Sequence, residues 1–209
     1  MKILICDDHK IVRDGLKQIL QQLGSSTLIV EAGDGYEALN LLKKDPYDIL
    51  LLDISLPGMS GMEILQSVKA KYPSTNVLML SMMPQEQYAI LALKHGASGY
   101  LTKDTASEEL LLAVRKVSEG GKYISHTLAE NLAQHLISND TIKQKHEILS
   151  GREFEIMIKL ANGKSLQEIG NELFISDKTV STYRSRIMEK MEFSKNAELT
   201  RFCLEHNLI

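Results

Sequence analysis

Short apolar runs alternate with amphipathic stretches through the first 120 residues of the chain. Five runs have the length and composition of buried strands: 3–6, 28–32, 49–52, 77–80 and 99–101. Apolar residues recur at helical spacing after each run, near 12–23, 36–42, 61–70, 85–94 and 108–117. Five strands that are each followed by a helix predict an α/β fold, with a five-stranded, doubly wound parallel sheet covered on both faces. We expect the flavodoxin-like strand order 2-1-3-4-5.

The pattern becomes helical after residue 121. A helix is predicted over 123–136 and a polar linker over 138–146. Two capping boxes, Ser150-x-x-Glu153 and Ser165-x-x-Glu168, each predict the start of a helix. A helix-turn-helix is predicted from a helix over 166–173, a turn over 174–176 and a second helix over 177–191. The chain therefore divides into an α/β domain at 1–120, a helix and linker at 121–147, and a small all-α domain at 148–209.

Composition narrows the classes of protein that the chain can belong to. Hydrophobic residues make up 44% and charged residues 24%, which is ordinary for globular domains. The uninterrupted apolar stretches, such as 49–52, are too short to span a membrane, and the N-terminus lacks a signal-peptide core. We expect a cytoplasmic chain with no membrane partner. Residues 150–209 carry nine basic and nine acidic side chains, so charge by itself does not indicate nucleic-acid binding.

Polar and charged side chains follow the predicted strands at the points where the strands end. Asp7 and Asp8 follow the first strand, Asp53 the third, Ser81 the fourth and Lys103 the fifth. Ligands of an open parallel sheet bind outside the carboxyl ends of its strands. Carboxylates that crowd together there need a cation, and oxygen ligands favour Mg²⁺. The ammonium and the hydroxyl would neutralise and hydrogen-bond a phosphoryl group, so the set predicts a phosphorylated aspartate.

Three strings in this half resemble a receiver domain over essentially all of residues 1–120. They are Asp7-Asp8-His9, the nine residues DISLPGMSG at 53–61, and GYLTKD at 99–104, with Ser81 between them. The resemblance implies that Asp53 accepts phosphate from a sensor histidine kinase. It also implies that Mg²⁺ is bound by Asp8, Asp53 and the Ser55 backbone carbonyl, with Asp7 acting through water. Ser81 and Tyr100 would form the switch pair, the hydroxyl moving toward the phosphoryl group and the ring turning inward.

The second helix of the predicted helix-turn-helix has two faces. Four residues share one narrow sector at 100° per residue and should face the core: Val180, Tyr183, Ile187 and Met191. Lys178, Thr182 and Ser185 lie opposite, with Ser181 beside them, so this face is polar, short-chained and able to approach base edges. Three basic residues lie on the flanks, where phosphates would be: Arg184, Arg186 and Lys190. A solvated face of a helical bundle would show the same pattern, and the pattern alone leaves both interpretations open.

Residues 148–209 resemble the LuxR-type helix-turn-helix domain of NarL/FixJ-family response regulators, through the strings LSGRE at 149–153, GKSLQEI at 163–169 and ISDKTV at 175–180. The resemblance implies that Ser181, Thr182 and Ser185 read the groove, while Lys178 and Thr179 approach the DNA backbone. The last helix, near 197–207, would carry dimer contacts. Sequence-specific binding of double-stranded DNA by a phosphorylated homodimer, with RNA polymerase as a further partner, is the implied function. Some relatives have lysines at the groove-reading positions, where this chain has serine and threonine. We therefore expect the DNA affinity of this chain to depend less steeply on salt concentration.

Two other functions compete with this interpretation. A Mg²⁺-dependent phosphatase could use an aspartate nucleophile on small phosphomonoesters, although the short loops leave no insertion for a substrate. A protein-interaction module could use the C-terminal helices to bind protein rather than DNA. We expect a response regulator rather than a conventional enzyme. The six histidines are scattered without metal-ligand spacing, so none is assigned to the site.

Overall fold

The computed structural model describes residues 1–82, 85–105, 107–126, 128–130, 148–206 and 208–209. The chain forms two compact units, residues 1–139 and 140–209. The domain boundaries expected at 120 and 147 stay predictions, and the predicted linker at 138–146 lies outside the described residues. In the part of the chain that the structure describes, no helix combines the length and the apolarity that crossing a bilayer requires.

The first unit contains the predicted five-stranded parallel sheet. Its strands are β1 (Lys2–Cys6), β2 (Leu28–Ala32), β3 (Ile49–Asp53), β4 (Asn76–Ser81) and β5 (Gly99–Thr102). The order β2-β1-β3-β4-β5 confirms the expected topology. Every residue of β3 is buried, because the strand has a neighbour on each side and helices on both faces.

Helices follow the strands as the apolar spacing predicts. They are α1 (Lys10–Leu20), continued by a 3₁₀ turn at Gln21–Leu23, α2 (Gly35–Lys44), α3 (Gly61–Lys71), α4 (Gln85–Lys94) and α5 (Ser107–Ser118). One core forms where α1 and α5 cover Ile3, Ile5, Ile49 and Leu51. The α/β unit therefore holds the carboxyl ends of its strands at one edge of a rigid sheet.

The segment after α5 differs from the prediction of a helix over 123–136. The backbone N–H of Tyr123 donates to Ser98 O at 2.8 Å, and Tyr123 forms a parallel bridge to Gly99. Helical residues are described at 126 and 128–130, after Ser125, whose Oγ accepts the Leu128 N–H. The free sheet edge beside β5 offers Tyr123 a hydrogen-bond partner, and apolar periodicity alone does not reveal that partner. Residues 131–136 of this prediction lie outside the described residues.

The second unit is helical, with α6 (Gly151–Ala161), α7 (Leu166–Leu173), α8 (Asp177–Met191) and α9 (Asn196–Glu205). Both predicted capping boxes are present at the starts of α6 and α7. The helix-turn-helix consists of α7, residues 174–176 and α8, as predicted. A Cβ on Gly170 would lie 2.7 Å from Ile175 O, so glycine permits the tight return of the chain after α7.

Candidate functional site

The strand ends bring three predicted residues into direct contact. Asp7 follows β1 and Asp53 ends β3, and their side chains are only 2% and 3% exposed. The Lys103 Nζ lies 2.6 Å from Asp7 Oδ2 and 2.6 Å from Asp53 Oδ2. One buried ammonium therefore serves two buried carboxylates. We call Asp7, Asp8, Asp53 and Lys103 the acid pocket.

A histidine that sequence reasoning left unassigned lies at the mouth of the acid pocket. His9 Nδ1 is 2.8 Å from Asp8 Oδ1 and 3.3 Å from Asp7 Oδ1, and the His9 backbone N–H donates to Asp7 Oδ1 at 2.8 Å. Ligand atoms of Asp7, Asp8, His9 and Asp53 all lie within 4.8 Å of one another. His9 has no metal-ligand spacing in the sequence, and its position directly after the two aspartates was the available signal.

Burial and charge act against each other in the acid pocket. Burial raises the pKa of Asp53 above its ordinary value, Lys103 opposes that rise, and Asp7 adds to it. Burial would lower the pKa of Lys103, but Asp53 and Asp7 outweigh burial and raise it. Lys103 is therefore held as a cation between acids that it only partly neutralises.

The residues of the acid pocket fit a divalent cation. Lys103 supplies one positive charge against the three carboxylates. Asp8 Oδ1 is buried and accepts no hydrogen bond from the described residues, since its contact with His9 Nδ1 lacks hydrogen-bond geometry. The same holds for Asp7 Oδ2, whose close approach to Lys103 is an ion pair without hydrogen-bond geometry. Oxygen atoms in this condition match the preference of Mg²⁺ for hard oxygen ligands.

The other predicted residues of the receiver half lie beside the acid pocket or behind it. The Ser55 backbone N–H donates to Asp53 Oδ1 at 3.2 Å, which orients the carboxylate. Ser81 ends β4 and is fully buried, and its carbonyl accepts the Lys103 N–H at 2.8 Å. Tyr100 is also fully buried, in register with Met79. The geometry places Ser81 next to Lys103 and the Tyr100 ring inside the unit; the roles of Ser55, Ser81 and Tyr100 stay predictions.

The burial of side chains along α8 agrees with the helical-wheel prediction except at one residue. Val180, Ile187 and Met191 are buried, but Tyr183 is only half-buried. Its ring lies 6.0 Å from the Arg186 guanidinium carbon and helps to line an open cleft of about 310 Å³. The other lining residues are Ser176, Lys178, Thr179, Thr182 and Arg186. The prediction that Tyr183 faces the core therefore holds only in part, since its partly buried side chain also lines this cleft.

Two predicted groove-reading hydroxyls bond to their own helix. Thr182 Oγ1 donates to Lys178 O at 3.0 Å, and Ser185 Oγ donates to Ser181 O at 3.1 Å. While these bonds persist, each hydroxyl can only accept a hydrogen bond from a base. Among the basic residues on the flanks of α8, Arg184 donates from Nε to Asn196 Oδ1 at 2.9 Å. Sequence reasoning missed this contact because Asn196 belongs to α9.

Both halves of the chain match family models. The response regulator receiver domain matches residues 3–115, and the LuxR family of bacterial regulatory proteins matches residues 147–203. The chain is also similar to the oxygen regulatory protein NreC of Staphylococcus aureus, with 36% identity over 215 aligned residues, 100% of this chain and 99% of the relative. The chain is a NarL/FixJ-family response regulator.

Solved structures of response regulators share this architecture. RcsB from Salmonella enterica serovar Typhimurium, bound to promoter rprA in the presence of the phosphomimetic BeF₃⁻, is 25% identical with a TM-score of 0.64 and covers 97% of each chain. A LuxR-family two-component response regulator from Aurantimonas sp. SI85-9A1 is 29% identical with a TM-score of 0.61, over 65% of this chain and 97% of that one. The receiver and the LuxR-type DNA-binding domain predicted from sequence are confirmed.

Proposed function

We propose that Asp53 accepts a phosphoryl group from a sensor histidine kinase, and that the phosphorylated chain regulates transcription by sequence-specific DNA binding as a homodimer. The observation that carries this proposal is the position of Lys103 Nζ, 2.6 Å from both Asp53 Oδ2 and Asp7 Oδ2. An ammonium fixed beside a buried nucleophilic carboxylate is placed to neutralise the oxygens of a phosphoryl group.

The phosphoryl transfer follows from the groups around Asp53. A carboxylate oxygen of Asp53 forms the new P–O bond while the P–N bond of the donor histidine breaks and the imidazole nitrogen keeps the electron pair. Lys103 and the Ser81 hydroxyl would meet the charge on the phosphoryl oxygens, and the Ser55 N–H holds Oδ1 of the carboxylate. Mg²⁺, when bound, would neutralise charge on the donor and on the acceptor. Asp8, Asp53 and the Ser55 carbonyl would hold it, with Asp7 acting through water.

Transcriptional control is supported by the helix-turn-helix and by the family. RcsB, a structural neighbour with 27% identity, has been solved as a complex with DNA. In the proposal, Ser181, Thr182 and Ser185 face the major groove and Lys178 and Thr179 approach phosphates, with Arg184 and Arg186 at the edges of the contact. The chain would act in the cytoplasm, dimerise through α9, work with RNA polymerase and turn over no external substrate.

Phosphorylation is tested with a small phosphodonor. Full-length protein is incubated with acetyl phosphate and Mg²⁺, and intact mass spectrometry measures the added phosphoryl group. Asp53→Asn should abolish the mass increase, because an amide does not form an acyl phosphate. Asp45→Asn is the matched control, since that carboxylate is 58% exposed on the surface and should leave labelling unchanged. Persistent labelling of the Asp53 variant would contradict the assignment of the acceptor.

DNA binding is tested by mapping bound genomic DNA with and without the phosphodonor, followed by affinity measurement on the recovered duplexes. We expect phosphorylation to strengthen binding to paired half-sites. Tight, salt-insensitive binding of a protein partner with no affinity for any duplex would favour the interaction-module alternative. Turnover of phosphomonoesters with Mg²⁺ would favour the phosphatase alternative.

A further inference from the structure

The first two turns of α6 bury three charged side chains. Arg152, Glu153 and Glu155 are 1%, 3% and 1% exposed, which is unusual for residues of these types. Arg152 pairs with Glu155 at 2.8 Å and donates to Leu173 O at 3.0 Å. Leu173 is the last residue of α7, so this contact ties α6 to the turn of the helix-turn-helix.

Glu153 ties the same turn of α6 to the far end of α8. Its Oε2 accepts the Ser150 N–H at 2.7 Å, as part of the capping box, and lies 2.7 Å from Lys190 Nζ. Lys190 belongs to the last turn of α8. Burial would raise the pKa of Glu153, but the bonds from Lys190 and Ser150 outweigh burial and lower it. The carboxylate is therefore held ionised beside the Lys190 ammonium.

Lys190 and Lys178, a proposed phosphate contact, project in different directions from α8. They are twelve residues apart, which is about 120° around the helix at ~100° per residue. Lys178 stands at the other end of α8, on the exposed face. If Lys190 turned to a phosphate, the Glu153 carboxylate, 4% exposed, would lose its cation in a buried position.

We propose that Lys190 is a positioning residue, which fixes the orientation of α8 on DNA through Glu153 rather than by contacting a phosphate. This inference rests on the proposed DNA binding. It differs from the helical-wheel prediction, which placed Lys190 among the residues that contact phosphates. The Arg152–Leu173 bond and the Glu153–Lys190 pair together hold the turn and the C-terminal end of the helix-turn-helix against α6.

The salt dependence of DNA affinity separates the two roles. A side chain that neutralises a phosphate contributes about 0.9 to the slope of log affinity against log salt concentration. A positioning residue changes affinity without changing this slope. Lys190→Met and Glu153→Gln are the test variants, because glutamine retains the capping box while it removes the ion pair. Lys178→Met is the charge-matched control at a proposed phosphate contact.

The measurement uses phosphorylated full-length protein, a duplex recovered by genomic mapping and an unrelated duplex, each titrated over a series of KCl concentrations. We expect Lys190→Met and Glu153→Gln each to weaken specific binding on the order of tenfold or more with the slope unchanged. The double variant should be no weaker than either single variant, because both remove one interaction. Lys190→Arg, which keeps a cation beside Glu153, should restore binding, and Lys178→Met should lower the slope by about 0.9.

Several results would overturn the positioning role. A slope lowered by about 0.9 in Lys190→Met, with Glu153→Gln unaffected, would make Lys190 a phosphate contact. Additive losses in the double variant would show that the two residues act separately. Far-UV circular dichroism and thermal melting establish that each variant is folded. If Lys190→Met unfolds, Lys190→Arg remains as the test. A folded Lys190→Arg variant that binds DNA more weakly than the wild type would also count against the ion pair. Absence of wild-type binding to any duplex would instead overturn the DNA-binding proposal, and the positioning role with it.

Discussion

Replacing Lys103 with methionine tests whether one ammonium neutralises the acid pocket. Methionine has nearly the length of lysine, so packing is largely preserved while the charge is removed. Asp7 and Asp53, at 2% and 3% side-chain exposure, then share the acid pocket without the cation that lies 2.6 Å from each. We expect Lys103→Met to destabilise the receiver in metal-free buffer.

The magnitude follows from the burial of the pair and from the option of protonation. Removing one partner of a buried ion pair costs about 3–5 kcal/mol. Asp53 limits this cost by taking up a proton, since burial and Asp7 already raise its pKa. We therefore expect a loss of about 2–3 kcal/mol at neutral pH. Loss of Lys103 raises the pKa of Asp53 further, so the folded variant gains a proton as the pH falls. The deficit relative to wild type should shrink by up to about 1.4 kcal/mol per pH unit.

The assay is urea denaturation of the full-length protein, followed by hydrogen exchange and mass spectrometry of peptides from β1 and β3. These peptides report on the receiver separately from the helical unit. Lys10→Met, at an exposed lysine near the start of α1, is the control and should change stability by less than about 0.5 kcal/mol. Millimolar Mg²⁺ should restore much of the loss in Lys103→Met. Equal stability of Lys103→Met and wild type without metal at neutral pH would refute the reasoning.

Three further predictions address the backbone, a helix cap and acid stability. In Gly61→Ala the new Cβ would clash with the Asp53 carbonyl oxygen, so we expect destabilisation of at least about 1–3 kcal/mol in urea unfolding and loss of labelling by acetyl phosphate. Stability and labelling equal to those of the wild type would show that α3 shifts to accommodate the methyl group. Ser165→Ala removes the side chain that caps α7 and should cost about 1 kcal/mol in thermal unfolding, whereas Ser165→Asp should not. Because the pKa of Glu153 is lowered, its stabilising contribution is present above the ordinary glutamate pKa and lost as the pH falls through the lowered folded-state pKa. Melting between about pH 3 and pH 6 should therefore show a flatter decline for Glu153→Gln than for wild type, and parallel curves would count against the shift.

Most of the fold could be predicted from local sequence patterns. Each buried strand is recorded as a short apolar run and each helix as apolar residues at helical spacing, and both signals come from neighbours in the chain. Capping boxes such as Ser165-x-x-Glu168 are equally local, which is why the starts of α6 and α7 could be predicted. The convergence of Asp7, Asp53 and Lys103 also followed, because parallel strands place their carboxyl ends at one edge of a sheet.

One departure from the sequence-based prediction arises where a residue takes its partner from a distant segment, and a second arises where none of the described elements covers a helix face. Tyr123 leaves the predicted helix because the edge of β5 supplies a carbonyl and a bridge partner. Tyr183 is only partly buried at the position that the helical wheel assigned to the core, and it lines the polar cleft together with Arg186 of the same helix. A helical wheel places side chains by angle, and it contains no information on which element, if any, covers a given angle.

By itself, the sequence determined the fold class, the strand order and the set of polar groups at the strand ends, because these depend on periodicity and on the geometry common to parallel sheets. The tertiary structure decided which of those groups touch, that His9 lies beside Asp7 and Asp8, and that Lys190 is paired with Glu153. The physical reason is the short range of these interactions. A change of one or two ångströms separates an ion pair from a solvated charge. For Glu153 and Lys190, the distance between the carboxylate and the ammonium is set by the packing of α6 against α8.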